Sequence, residues 1–139
     1  MTMMSRKFRG IVKAHSRDGT KFGYPTANIL IDDKSLEGIF AGYTYLIKSG
    51  DTEVKKAFGD KPLPSVVFAG APETLREKQH RLESHILDFP EIDLYGSEIS
   101  VEIIEKLRGN EKFDTVENLI TQMEKDEAAA RKYFAGMEN

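Results

Sequence analysis

The residues best suited to chemistry stand in Gly19-Thr20-Lys21-Phe22-Gly23-Tyr24-Pro25-Thr26-Ala27-Asn28. Glycine lets backbone N–H groups approach an anion closely, because no Cβ intervenes. Pro25 fixes its own φ and pushes Tyr24 towards an extended conformation. Thr26 offers a hydroxyl and Asn28 an amide oxygen. Two residues apart on a strand, they share one face, with Ala27 on the other. Two neutral oxygens beside a glycine loop suit a magnesium ion that already carries phosphates. The same composition also describes a tight turn feeding a strand, with Thr26 and Asn28 as ordinary turn formers. No GxxxxGK[ST] occurs, so the stretch is not a P-loop.

Far downstream stand Glu83-Ser84-His85-Ile86-Leu87-Asp88-Phe89, then Asp93-Leu94-Tyr95-Gly96, then Leu107-Arg108. On residue type alone Glu83 is one acid among 23, and a surface ion pair is the ordinary role of such a group. His85 lies two residues from Glu83 and so on the same strand face; its expected role is structural. Asp88 reads as a loop cap, and Tyr95 as packing rather than ligand.

In this order the strings PTAN, E-x-HILDF, DLYG and LR…KF resemble the riboflavin kinase family of the bacterial and eukaryotic type. The resemblance runs from about Gly10 to about Arg131. It implies phosphorylation of the 5′-hydroxyl of riboflavin by ATP and magnesium to give FMN. It places magnesium and nucleotide phosphate at Thr26 and Asn28, and the general base at Glu83. It makes Gly19, Lys21, Gly23, Tyr24 and Pro25 the rest of the nucleotide site. Arg108 and the segment Gly109 to Phe113 become a flap over the isoalloxazine. Phe113 also reads as a hydrophobic staple before a helix cap at Asp114, and both readings stay open. The implied partners are riboflavin or FMN and ATP or ADP, with neither nucleic acid nor membrane.

The chain departs from that family at several points. His15 stands where a glycine is usual, Thr20 where arginine is, Phe22 where leucine is, and Phe68 where asparagine or serine is. The turn Ala71-Pro72-Glu73 is about one residue short, and the acid of LR-x-E-x-KF is displaced by one. These changes bear on phosphate affinity and nucleotide choice more than on fold. They also motivate a rival reading, a flavin- or nucleotide-binding module without catalysis on the same scaffold.

The 139 residues suit one domain, 1–139, able to bury one core. Net charge is −3 with acids and bases interspersed, which argues against a nucleic-acid footprint. The absence of cysteine excludes disulfides, thiolate zinc sites and thiol catalysis. No apolar run reaches transmembrane length and the first residues lack the apolar centre of a signal peptide. A cytoplasmic monomer is the simplest expectation. The family's bifunctional members carry an adenylyltransferase domain for which this length leaves no room, so FAD synthesis is not expected.

Around the chemistry, the pattern predicts strands at Phe8–Ala14, Asn28–Asp32, Gly38–Lys48, Ser65–Gly70, Leu82–Leu87 and Ser97–Leu107. Thr52–Phe58 reads as a short partner strand. Phe40 to Tyr45 reads as core packing in preference to a barrel lining near the nucleotide. From Asp114 the period becomes helical through Val116, Leu119, Ile120, Met123, Ala130, Tyr133 and Phe134. That is an amphipathic helix of roughly five turns with Gly136 as its stop. Short strands and one terminal helix suggest an antiparallel barrel, with a sandwich still open. The family resemblance implies a six-stranded Greek-key barrel with the long helix packed on it.

Overall fold

Alternation along the chain builds the strands, and the computed structural model describes residues 6–13, 26–33, 35–70 and 80–137. The strands are β1 (Arg6–Ile11), β2 (Ala27–Leu30), β3 (Gly38–Lys48), β4 (Leu63–Gly70), β5 (Arg81–Ile86) and β6 (Glu98–Arg108). Two helices join them, α1 (Thr52–Phe58) and α2 (Val116–Met137). The sheet order is β1-β6-β3-β4-β5-β2, antiparallel throughout. β3, β4 and β5 form a meander, with β2 returning beside β5 and β6 beside β3, a Greek-key arrangement. The edges β1 and β2 approach each other where Lys13 N donates to Asn28 O at 2.8 Å. The barrel is therefore nearly closed, which removes the exposed edges an open sheet would leave.

Inward residues of all six strands fill the barrel. Ile29, Phe40, Val67, Leu82, Ile99, Val101 and Ile103 belong to this core. A second cluster lies on the outer face, where Ile39, Ala41, Val66 and Leu87 receive Ala130 and Phe134 of α2. The helix is thus held by one apolar stripe against the outside of the barrel. β3 must pass very close to β6: a Cβ on Gly42 would lie 2.2 Å from the Glu102 carbonyl oxygen. Only glycine fits at that irregular register.

Four expectations are corrected. Thr52–Phe58 is a helix, not a strand, because Asp51 accepts from the N–H groups of Glu53 and Val54 and caps it. Its Val54 and Phe58, four residues apart, then share a face and enter the core. Helix α2 starts one residue later than expected, since Thr115 Oγ1 rather than Asp114 accepts from Asn118 N at 3.1 Å. It runs for 22 residues, past Gly136, about six turns. Tyr95 does not pack: it is 65% exposed.

Candidate functional site

The pairing of β2 with β5 sets Asn28 directly opposite Glu83 and Ala27 opposite Ser84. Directly opposed residues share a face, with Cβ atoms about 4.5–5.5 Å apart. Ala27 and Leu82 point into the barrel core, so Asn28 and Glu83 share its outer face. Asn28 is only 3% exposed. Thr26 Oγ1 donates to Asn28 Oδ1 at 3.4 Å, which brings two neutral oxygens together at the start of β2. Adjacent ligands of an octahedral magnesium at about 2.1 Å lie about 3 Å apart, so this pair fits such an ion with a small adjustment. Among the described residues no group of three or more His, Cys, Asp or Glu side chains converges for a metal.

Glu83 is one member of a lateral row that runs round the barrel. Cross-strand pairs link Arg108 to Ile39, Ile39 to Phe68, Phe68 to Glu83, Glu83 to Asn28 and Asn28 to Lys13. One end therefore carries the oxygen pair, the other carries Arg108, and the half-buried ring of Phe68 stands between. Helix α2 lies along this face. Arg108 meets it through a two-pronged pair with Asp126, Nε to Oδ1 and Nη2 to Oδ2, both 2.7 Å. The same guanidinium donates to Gly109 O at 2.9 Å and lies 5.9 Å from the centre of the Phe113 ring. With the cap at Thr115, Phe113 is not the residue before it. The staple reading loses its register, and the ring is instead associated with Arg108.

His85 Nε2 lies 3.6 Å from Glu127 Oε1 on α2. Asp88 goes beyond a loop cap, at a φ of 59°, by receiving both terminal nitrogens of Arg131 at 3.0 and 2.9 Å. Those bonds hold the Asp88 carboxyl below its ordinary range. Asp88, and then Glu127, in turn raise the Arg131 guanidinium. Three side-chain pairings, from β5, the turn after it and β6, thus link α2 to the barrel around Glu83, the buried one being Arg108 with Asp126.

A cavity of about 190 Å³ opens at the end of the barrel where β2 begins. Val12, Ala27, Ile86, Phe89, Ile92 and Leu94 give it apolar walls, and Thr26 and Ser84 line it too. Behind Ser84 runs a buried hydroxyl chain. Ser65 Oγ donates to Leu63 O, so it accepts from Thr44, which in turn accepts from Ser84, at 2.9, 2.8 and 2.6 Å. Each hydroxyl is satisfied, and β3, β4 and β5 are tied together beneath the site.

The structure therefore brings Thr26, Asn28 and Glu83 together and places Arg108 and Phe113 at the other end of the same row. Gly19, Lys21, Gly23, Tyr24 and Pro25 lie outside the described residues, as do His15, Thr20, Phe22 and the turn Ala71-Pro72-Glu73. The sequence reading did not single out Asp126 or Gln122, whose Nε2 donates to Asp126 Oδ1 at 3.0 Å. The signal was present: Asp126 interrupts the apolar stripe between Met123 and Ala130.

Comparison with known proteins bears on the chain as a whole. A family model described as Flavokinase, riboflavin kinase, matches residues 3–134. The trifunctional protein RibF/MnmA of Mycoplasmoides gallisepticum is 32% identical over 126 residues, covering 91% of this chain and 18% of its own. The bifunctional riboflavin kinase/FMN adenylyltransferase of Escherichia coli K12 is 33% identical over 118 residues, 84% of this chain and 34% of its own. The chain thus spans about a third, or less, of the length of these curated relatives. A crystal structure of riboflavin kinase from Trypanosoma brucei superposes with a TM-score of 0.68 over 97% of this chain and 82% of its own. At 18% identity that likeness speaks to the fold.

Proposed function

Because the chain belongs to the riboflavin kinase family, we propose that it transfers the γ-phosphoryl group of ATP to the 5′-hydroxyl of riboflavin, giving FMN and ADP. The observation that carries this reading is the pairing of Asn28 with Glu83 on one face, with Thr26 beside them. Phosphoryl transfer to an alcohol asks for held phosphates, neutralised charge and an oriented hydroxyl relieved of its proton. Glu83 accepts that proton while the 5′-oxygen attacks the γ-phosphorus and the bond to ADP breaks.

Thr26 and Asn28 would hold the magnesium through their neutral oxygens. When bound, that ion supplies charge neutralisation at the phosphate oxygens. The apolar cavity shares Thr26 with this pair, and its apolar walls suit the nucleotide base. Gly19, Lys21, Gly23, Tyr24 and Pro25 complete the nucleotide side on the strength of the sequence. Phe68, Phe113 and Arg108 give the flavin an apolar bed on the other side of Glu83. No helix among the described residues is long and apolar enough to cross a membrane. A single-domain, cytoplasmic monomer completes the proposal.

The test is direct. Incubation with riboflavin, ATP and magnesium, followed by chromatography, is expected to show FMN that depends on all three. Tight flavin binding with no FMN formed would replace this reading with the binding module. Parallel incubations with other nucleoside triphosphates read the nucleotide preference.

A further inference from the structure

Resting on the assignment of Arg108 and Phe113 to the flavin side of the site, we propose that Asp126, assisted by Gln122, is a positioning residue that sets riboflavin affinity without touching the flavin. The buried positions of α2 are Met123, Asp126, Ala130 and Phe134. An apolar side chain at Asp126 would complete that stripe, so packing does not ask for an acid there. A carboxylate left 2% exposed costs desolvation, which only well-formed partners offset. Asp126 has three: two Arg108 nitrogens at 2.7 Å and Gln122 Nε2 at 3.0 Å. What the acid adds over an apolar residue is therefore the orientation of Arg108.

That orientation has a consequence for the segment after β6. The pair with Asp126 and the bond to Gly109 O take three of the five guanidinium N–H donors and fix its plane. The fixed guanidinium lies near the Phe113 ring. Between them, Asn110 Nδ2 donates to Ala69 O at 3.3 Å at the end of β4. Residues 109–113 are thus located by Arg108 at both ends and by Asn110 in the middle. Arg108 and the oxygen pair occupy opposite ends of the lateral row, with Glu83 between. A disturbance at Asp126 therefore reaches the flavin side and spares the nucleotide side.

The test compares Asp126→Asn, Arg108→Ala and the double variant, with riboflavin binding followed by flavin fluorescence and both KM values by turnover. Asp126→Asn is expected to raise the riboflavin Kd and KM about tenfold, with kcat and the ATP KM within about twofold. Added to Arg108→Ala, it is expected to change nothing further, because it acts through that side chain. Gln122→Ala removes one bond and no charge, and is expected to raise riboflavin KM about threefold. If Asp126→Asn does not fold, Gln122→Ala decides. Unchanged riboflavin affinity in a folded variant, or equal losses for both substrates, overturns the positioning role. A wild-type chain that binds riboflavin but forms no FMN refutes the kinase reading alone, and the fluorescence titration still reads Asp126. A wild-type chain that binds no riboflavin overturns both.

Discussion

Glu83 owes its direction to the alternation of β5. Leu82, Ser84 and Ile86 are buried inward, and Glu83 and His85 are left on the outer face. Glu83→Gln keeps the shape of the side chain and removes its capacity to take a proton. Turnover is expected to fall about a hundredfold or more, with an unchanged melting temperature. Turnover like that of the wild type would remove Glu83 from the role. Thr26→Ala deletes one of two neutral oxygens, so calorimetry is expected to show weaker ADP–magnesium binding; unchanged affinity would contradict the assignment. The placement of Thr26, Asn28 and Glu83 together was legible in the sequence because a strand has a fixed period of two and the family strings name their positions. The Arg108–Asp126 pair was not. Its partners are 18 residues apart across a change of element, and only the placement of α2 joins them. Phe113 was legible as an aromatic at a boundary, but its choice between staple and flap depended on a cap that shifted by one residue.

Among the elements, the long strands and α2 were readable because each carries many turns of its own periodicity. Helix α1 was not, since seven residues give only one repeat of Val54 with Phe58, and β-branched Thr52 and Val54 favour a strand locally. The Asp51 cap and core burial override that preference. The hydroxyl chain tying β3, β4 and β5 gives an element-scale prediction. Thr44→Val preserves volume but strips Ser65 of its donor and Ser84 of its acceptor inside the core. A loss of about 1–3 kcal/mol is expected, read from the denaturant midpoint. A second prediction concerns the β3–β6 seam, where Tyr45 OH donates to Glu102 Oε1 at 2.6 Å. Burial, then that hydrogen bond, pushes the phenol up to about 12. The folded state thus favours the protonated ring. Its contribution is fully present below the unfolded value near 10 and is lost as pH rises through about 12. Wild-type protein should lose stability across that window more steeply than Tyr45→Phe. Parallel curves for the two would show that the seam does not depend on the phenol.

At the scale of the whole molecule, the barrel was legible in the strand pattern and the family strings, and it closes where Lys13 N donates to Asn28 O beside the approach of β1 to β2. No side-chain pattern encodes that contact. The consequence is that one face serves two purposes. The face that carries Glu83, Asn28 and Arg108 also presents Ile39, Ala41 and Val66, from β3 and β4, to α2, and the barrel core lies directly behind it. α2 has no core of its own: its apolar residues Ala130 and Phe134 are buried against the outer face of the barrel. The chain is therefore expected to unfold as one cooperative unit, with loss of α2 in the far ultraviolet coinciding with loss of tyrosine packing in the near ultraviolet. Ligand should shift that single transition as a whole: at a hundredfold excess over its Kd, riboflavin adds about 2.7 kcal/mol and a rise of several degrees in Tm. The weak points are the exposed pairs of Arg131 with Asp88 and Glu127, which contribute little in water. If α2 melts before the barrel, or if riboflavin shifts only one of two resolved transitions, the helix is an appendage. The row from Asn28 to Arg108 would then not be a unit.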